Sequence, residues 1–189
     1  MQDWLPERGE ITEVVGRLSS GRTSLGVRWL AAFTSRGAVT ALVDTDNAFD
    51  PTSAIRAGVD LHRVLWVRCR GRRDMALRAT DVLVRCPGFA LVVLDTGEVP
   101  LRLALTAAFR LKLVVRRSDI AMVILTRRRL SGPAATVALE TMPAGIEWTG
   151  QRPRRLDALR TSLHPLRPQR ARHPVIGEAS RPAPWRWSG

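Results

Sequence analysis

The chain has 189 residues, of which 45% are hydrophobic, and a formal net charge of +13. This length and composition are typical of one globular domain with a real core and a tail. No apolar run approaches the roughly 18 residues that a membrane-spanning helix needs. The N-terminus has acidic residues where a secretory signal would have an apolar region. We therefore expect a cytoplasmic protein without a membrane contact, in which Cys69 and Cys86 are reduced.

The positive charge comes almost entirely from arginine, since Lys112 is the single lysine among the 30 basic residues. A charge of this size favours a polyanionic partner such as nucleic acid. A basic protein that its charge keeps dispersed is the equally weighted alternative for the body of the chain. Composition therefore excludes a membrane protein and leaves nucleic-acid binding open.

The first informative stretch is a glycine-rich loop between a short apolar run, Ile11 to Val15, and an amphipathic helical pattern. It nearly matches the P-loop G-x-x-x-x-G-K-[ST], whose backbone N–H groups surround nucleotide phosphates. Arginine stands where that motif has lysine, and a plain glycine turn is the structural alternative. The predicted nucleotide-binding residues are Gly16, Arg17, Leu18, Ser19, Ser20, Gly21, Arg22, Thr23 and Ser24.

Strand-like and helix-like patterns alternate from this loop to Leu125. Each strand is almost continuously apolar, which is typical of a parallel sheet covered by helices on both faces. Pro100 is expected to open a long helix that ends near Arg117. The predicted strands after the first are 38–43, 64–67, 89–95 and 120–125, and the other predicted helices are 53–58 and 73–85.

The pattern changes after Leu125, where a short basic loop contains Arg127, Arg128 and Arg129. Alternating residues predict strands over 136–141 and 145–149, joined by a turn at Pro143–Gly145, and a further strand near 159–163. We expect these strands to extend the sheet in antiparallel fashion. The core domain is thus predicted to span residues 1–166.

Residues 167–189 form a basic tail rich in proline and arginine, which we expect to be largely disordered. It ends in Pro184-Trp185-Arg186-Trp187. Tryptophans in such a tail stack on bases or dock on a partner protein, and a free tail end is the alternative. Arg127, Arg128, Arg129, Trp185, Arg186 and Trp187 are the predicted contacts for DNA or a partner.

Several segments together resemble the ATPase core of the bacterial RecA recombinase family. The stretch from Leu5 to Ser24 resembles the entry to that core, and Val43 to Pro51 followed by Gly58-Val59-Asp60 is similar to its acid-x-acid…Asp-Pro segment. The run that ends at Asp95 is similar to its Walker B strand. The resemblance covers roughly residues 5–131, and more loosely 5–166, and it implies a RecA-like P-loop α/β fold with ATP and Mg²⁺ as cofactors.

The resemblance also assigns roles to single residues. Thr23 would reach Mg²⁺ directly and Asp95 would hold it through water. Asp46 stands where the family has the glutamate that activates the attacking water. Phosphoryl transfer consists mostly of positioning and charge neutralisation, so these parts are close to the minimum set.

The chain departs from the family at several of these parts. Arg22 replaces a compact lysine with a planar fork, which is not conservative at a tight phosphate site. Asp46 is one methylene shorter than glutamate. Thr126-Arg127 follows the fifth strand where the family has an Asn-Gln sensor and a long DNA-binding loop. We also expect the N-terminal segment that packs on a neighbouring filament subunit to be absent.

A RecA-like core with these departures resembles ImuA-type accessory factors of SOS mutagenesis. That resemblance implies a role in the DNA damage response and translesion synthesis, with a degenerate Walker A loop and little or no ATPase activity. The implied partners are single-stranded DNA without sequence preference, an ImuB-like polymerase homologue and RecA. A DNA-dependent ATPase of the recombinase type, acting in DNA repair and recombination, is the alternative, and a basic nucleic-acid-binding module with a relic P-loop is a third.

Overall fold

A computed structural model describes residues 4–99, 101–150 and 155–166. Its elements follow the alternation expected from the sequence. The strands are β1 (Ile11–Gly16), β2 (Val39–Asp44), β3 (Val64–Arg68), β4 (Phe89–Asp95), β5 (Ala121–Thr126), β6 (Val137–Thr149) and β7 (Arg155–Pro165). The helices are α1 (Arg22–Thr34), α2 (Pro51–Arg56), α3 (Arg73–Leu83) and α4 (Leu105–Ser118).

The seven strands form one sheet in the order β3-β2-β4-β5-β1-β6-β7. All neighbours are parallel except β6 and β7, which pair antiparallel. Most side chains of β1, β2, β4 and β5 are buried, on both faces of the sheet, and the apolar ones divide into two clusters. One cluster packs under α1 and α2, and the other under α3 and α4. The mostly parallel α/β fold with helices on both faces is therefore confirmed.

The C-terminal part of the sheet differs from the expectation in detail. β6 is a single strand, parallel to β1, and Pro143–Gly145 lies inside it at a register irregularity opposite β7. The predicted turn at Pro143–Gly145 is therefore wrong. The last pair between β1 and β6 is Gly16 with Thr141. Since Pro143 lies beyond this pair, its missing N–H costs no bond to β1. Pro143 and Gly145 pair with Thr161 and Arg160 of β7, and the bulge lies at Ala144 between them.

Helix α4 begins at Leu105, so the predicted start at Pro100 is wrong, and Pro100 itself lies outside the described residues. The residues just before the helix are extended, as ψ of 142° at Ala104 shows. Leu101 is buried there. Burial of Leu101 removes an apolar side chain from water, which favours this extended stretch.

The connection from β5 to β6 crosses over β1 in only ten residues, 127–136. A buried carboxylate on β1, Glu13, holds this crossover. It accepts hydrogen bonds from Arg129 Nε (2.9 Å), from the backbone N–H groups of Leu130 and Ser131, and from Ser131 Oγ (2.9 Å). The shortness of the crossover matches the sequence expectation of a cut-down loop, and the anchor explains its shape.

Candidate nucleotide-loop site

The carboxyl ends of the parallel strands meet at one edge of the sheet, where ligand sites of open α/β folds lie. The glycine loop leaves β1 at Gly16 and enters α1 at Arg22. Gly21 has φ of 87° and Ser19 has φ of 61°, both in the left-handed region. The strand, loop and helix thus follow one another in the order that a P-loop has, with left-handed residues inside the loop.

Arg22 does not point out of the loop toward solvent. It is 5% exposed, and its Nη1 donates to the carbonyl oxygen of Gly16 at 2.7 Å. Its Nη2 forms a salt bridge of 2.8 Å with Glu98 and a longer bond of 3.4 Å to the carbonyl oxygen of Gly97. The guanidinium therefore spans the loop, and its charge is already matched by a carboxylate.

The segment after β4 connects the predicted site residues. Asp95 Oδ1 accepts from the N–H of Gly97 at 2.9 Å, and Asp46 Oδ2 accepts from the N–H of Glu98 at 3.0 Å. Gly97 has φ of 70°, and a Cβ there would overlap the carboxylate of Asp46. Arg22, Asp46 and Asp95 thus all bond to residues 97 and 98, so the structure brings these three predicted residues together.

Asp46 is committed to protein contacts. Besides the N–H of Glu98 it lies 3.5 Å from Arg73 Nη2. Both carboxylate oxygens therefore have protein partners, one for each. These two contacts hold the carboxylate of Asp46 beside Glu98 and Arg73.

Asp95 and Thr23 line the same narrow pocket, beneath the start of α1. Burial raises the pKa of Asp95, while the N–H of Gly97 and the guanidinium of Arg22 act in the opposite direction. A raised pKa opposes the ionised form that a magnesium ion requires. The pocket is lined by Thr23, Gly26, Val27, Leu30, Leu42, Asp44, Phe49, Val93, Asp95 and Leu125.

The acidic residues of the family-like segment stabilise local structure. Asp44 accepts from the N–H groups of Ala48 and Phe49 and from Trp66 Nε1, each at 3.0–3.1 Å. Asp50 caps α2 by accepting from the N–H groups of Thr52 and Ser53. The hydroxyl of Ser53, which also donates to Asp50, lowers the pKa of Asp50 most, and the N–H of Ser53 lowers it further. Such caps satisfy backbone donors that a helix start leaves unpaired.

The residues that β6 and β7 contribute to the loop were not anticipated from the sequence. Ser20 Oγ lies 2.7 Å from Thr141 Oγ1 on β6, and a Cβ on Gly21 would overlap Thr161 of β7. Glu98 was missed as well. A buried arginine requires a partner, so an acidic residue just after the Walker B-like strand was the one available signal.

The three arginines of the basic loop differ in their surroundings. All three are exposed, but Arg129 also donates to Glu13 and to the carbonyl oxygen of Gly132. Thr126 Oγ1 donates to the carbonyl oxygen of Arg128 and closes the loop. The predicted contacts Trp185, Arg186 and Trp187 lie outside the described residues.

Whether this site fits a magnesium triphosphate can be judged from Arg22. Both Nη atoms of Arg22 already donate to protein groups. Of the nitrogens of this guanidinium, Nε alone is buried without a partner among the described residues. A triphosphate would meet the carboxylate of Glu98 where it needs a free cation. The loop backbone has the right frame, but the side chains present do not fit the group. No cluster of three or more metal-ligating side chains occurs within the described residues.

In the same described part of the chain, no helix combines the length and apolar character needed to cross a bilayer.

Comparison with known proteins agrees with this architecture. A family model described as the RecA N-terminal domain matches residues 5–105, just over half of the chain. Protein RecA of Chlorobaculum tepidum is 38% identical over 89 residues, which are 47% of this chain and 25% of that protein. Protein RecA of Arthrospira platensis is also 38% identical over 89 residues, 47% of this chain and 24% of that protein.

A structural match supports the fold over a longer stretch. The crystal structure of the RadB recombinase superposes with a TM-score of 0.61 at 19% identity, covering 92% of this chain and 85% of that chain. The sequence match, by contrast, spans only about a quarter of the length of the curated RecA relatives. From the loop geometry, the sheet order and the family match together, the chain belongs to the RecA N-terminal domain family.

Proposed function

We propose that this chain is a RecA-like accessory protein of the DNA damage response and translesion mutagenesis, of the ImuA type. It acts by binding partner proteins and DNA, and its nucleotide site is degenerate. The observation that most directly supports this proposal is the buried Arg22, which bonds to Gly16 and pairs with Glu98 inside the loop. A site whose cation is neutralised by the protein itself is poorly suited to a triphosphate.

Two further features support a role without fast hydrolysis. Asp46, at the position of the water-activating carboxylate, is bound to Glu98 N–H and lies beside Arg73. Thr126-Arg127 stands in place of the family's sensor pair, and the hydroxyl of Thr126 is used to close the basic loop. Phosphoryl transfer depends on positioned charge and a positioned water, and here Arg22, Asp46 and Thr126 are each engaged in contacts within the protein.

The DNA-binding part of the proposal is supported by charge. Arg127 and Arg128 are exposed at the same sheet edge as the glycine loop, and the whole chain has a formal charge of +13. Contacts of this kind bind the phosphate backbone without reading bases. The proposed protein partners are an ImuB-like polymerase homologue and RecA, and single-stranded DNA is the proposed nucleic acid.

A DNA-dependent ATPase of the recombinase type is the second candidate function. The observation that favours it is the retained frame: the left-handed Gly21, and Thr23 and Asp95 lining one pocket. In that case ATP and Mg²⁺, which members of the RecA family bind, would occupy the site after Arg22 releases Glu98.

The test measures both binding of labelled ATP and phosphate release with Mg²⁺, with and without single-stranded DNA. We expect release slower than an ordinary P-loop ATPase by about 10² to 10³ for each missing transition-state contact. Arg22→Lys should strengthen ATP binding, since the compact cation leaves room for phosphate. A turnover typical of P-loop ATPases in the unmodified chain would establish the second candidate.

A further inference from the structure

Helix α4 exposes three large apolar side chains. Leu105 is 54% exposed, Phe109 41% and Leu113 57%. They recur every four residues, so with about 100° per residue they lie within about 80° of one another on the helix. Together they form an apolar stripe about 12 Å long, since eight residues rise about 1.5 Å each.

This stripe is separate from the face that packs on the sheet. Ala108, Leu111 and Val115 are the buried residues of α4, and at about 100° per residue they lie about 60° or more around the helix from the stripe. A surface helix of a globular protein normally has one apolar face and a polar outer face. The stripe of Leu105, Phe109 and Leu113 therefore exceeds what folding of α4 requires.

The charged residues of α4 and of the segment just before it are all basic. No Asp or Glu occurs from Val99 to Ser118, while five basic residues do. The five basic residues are Arg102, Arg110, Lys112, Arg116 and Arg117. On the helical wheel Lys112 flanks one side of the stripe, and Arg110 and Arg117 flank the other.

Helix α3 covers the same face of the sheet and provides a comparison. Its exposed apolar residues Met75 and Val82 lie next to the acidic Asp74 and Asp81. Asp81 pairs with Arg85 at 2.9 Å. The outer face of α3 is thus mixed in charge, and the one-sign rim is a property of α4.

We infer that the outer face of α4 binds an amphipathic helix with an acidic rim, presented by a partner protein. Apolar anchors would lie on the stripe of Leu105, Phe109 and Leu113, and carboxylates would face Arg110, Lys112 and Arg117. This is the helix-on-helix form of recognition, in which apolar contact gives affinity and complementary charge gives register and orientation. The inference rests on the proposed function and names the surface and chemistry of its protein partner.

The charges argue against the other occupants. A second copy of this chain would bring like charges together on both rims, which is destabilising. DNA would use the basic residues but leave the stripe in water. A lipid surface would contact a single row of side chains, because the rest of α4 is packed against the sheet, and membrane-bound amphipathic helices bury a broader face.

The test uses a designed helical peptide of about five turns, with Leu on one face and Glu on both flanks, labelled for fluorescence anisotropy. A matched peptide has Lys in place of every Glu. The full chain is compared with the double variant Leu105→Ser/Leu113→Ser. The control double variant is Ile55→Ser/Val82→Ser, which removes two side chains that are each 59% exposed, on α2 and α3.

We expect the unmodified chain and the control to bind the Glu peptide, and the Leu105→Ser/Leu113→Ser variant to lose about tenfold or more in affinity, as loss of an interface anchor does. The Lys peptide should not bind. A second variant, Arg110→Glu/Arg117→Glu, should exchange these preferences and bind the Lys peptide. It alters exposed side chains only, so it keeps the inference testable if the serine variant is poorly folded.

The inference would be overturned if the unmodified chain and all variants bound the Glu peptide equally well. It would also be overturned if the unmodified chain did not bind the Glu peptide. A further contrary result would be that the unmodified chain cosediments with phosphatidylserine vesicles and the serine variant does not, because the stripe would then be a lipid contact. Single-stranded DNA binding, measured on the same samples, should be unchanged by the serine variant. If only peptide binding fails, the proposed DNA-binding function is unaffected. If only DNA binding fails, the proposed peptide-binding surface is unaffected.

Discussion

The contact between Arg22 and Glu98 determines the character of the glycine loop. Arg22 is almost fully buried, and Glu98 supplies the carboxylate that pairs with it. Removing the charge of Glu98 leaves a buried cation without compensation. Such a change is costly because the desolvation of the charge remains while its attraction is lost.

We predict that Glu98→Gln lowers the free energy of unfolding by about 1–3 kcal/mol. Asp81→Asn is the matched control, since Asp81 and Arg85 form a pair of the same kind at 2.9 Å with both partners about half exposed. Exposed pairs contribute roughly 0–1 kcal/mol. Urea unfolding at neutral pH measures both, and equal losses would show that the buried pair has no special role.

A second prediction at the residue scale concerns Asp95. Burial raises the pKa of its carboxyl group above 3.8. The folded protein then binds this proton more tightly than the unfolded chain does. The contribution of Asp95 to stability is therefore complete below pH 3.8 and is lost as the pH rises through the folded-state value. Asp95→Asn does not titrate, so we expect it to gain stability relative to the unmodified chain as the pH rises from about 4 to about 7.

Asp50→Asn serves as the control for that experiment because Ser53 lowers the pKa of Asp50. Its contribution is complete above pH 3.8 and is lost as the pH falls through the folded-state value. The two variants should thus differ from the unmodified chain in separate pH ranges and with opposite sign. Urea unfolding across about pH 3 to 8 measures both differences, and a pH-independent difference for Asp95→Asn would contradict the argument.

At the scale of elements, the short crossover between β5 and β6 depends on Glu13. This fully buried carboxylate accepts from three residues of the crossover, Arg129, Leu130 and Ser131. A glutamine would turn an N–H₂ group toward donors, leaving at least one buried donor unpaired. Anchoring by one side chain makes the loop both short and sensitive to that residue.

We predict that Glu13→Gln lowers the free energy of unfolding by about 2–4 kcal/mol and speeds tryptic cleavage after Arg127 or Arg128. Arg129→Gln, which leaves both N–H bonds to Glu13 in place, should have a smaller effect on cleavage. Limited proteolysis with mass determination of the fragments measures this. Unchanged cleavage in Glu13→Gln would mean that the crossover is held by other contacts.

The elements also show how far the sequence could predict this structure. Strands such as Phe89–Asp95 were found because a continuous apolar run flanked by breakers has few other interpretations. Pro143–Gly145 was misread because proline and glycine favour a turn locally, whereas pairing with β7 keeps this segment extended. That pairing is a long-range property, which a local pattern does not contain.

The residues of the candidate site show the same difference between local patterns and long-range contacts. Motif spacing predicts the loop from Gly16 to Thr23, and the resemblance to the RecA family predicts Asp46 and Asp95. Glu98 and Glu13 could not be assigned roles, because their contacts arise from side chains that meet across distant segments. The sequence thus predicts which residues form the candidate site, whereas the pairing of Arg22 with Glu98 is visible only in three dimensions.

At the scale of the whole molecule, the charge of +13 predicts how DNA binding responds to salt. Each phosphate contact on a single strand contributes roughly −0.7 to the log–log slope of affinity against salt. Arg127→Gln/Arg128→Gln should therefore make the slope shallower by about 1.4. Arg129→Gln should leave the slope nearly unchanged, since Arg129 is bound to Glu13.

Titrations of labelled single-stranded oligonucleotides of two unrelated sequences, at several salt concentrations, provide the measurement. We expect equal affinity for the two sequences, since contacts to phosphate do not read bases. Binding that ignores salt, or a slope that changes as much for Arg129→Gln as for the other pair, would contradict the assignment.

The last prediction concerns residues 170–189 and tests the boundary between core and tail. Among the described residues, which end at Leu166, both apolar clusters and the seven strands are formed by residues up to Pro165. The composition of the tail offers little apolar surface to offset the entropy of ordering it. Deletion after Gln169 should therefore leave the thermal midpoint nearly unchanged.

The same deletion should weaken binding to a mutagenesis partner or to single-stranded DNA, because it removes Trp185 and Trp187, large aromatic anchors of the kind that interfaces use. Their alternation would place both rings on one face if the segment docked as a strand on a sheet edge. Trp185→Ala/Trp187→Ala in the full chain separates this effect from the loss of arginines. A truncated chain that fails to fold would move the domain boundary. One that folds and binds every tested partner as well as the full chain does would show that the aromatic end has no binding role.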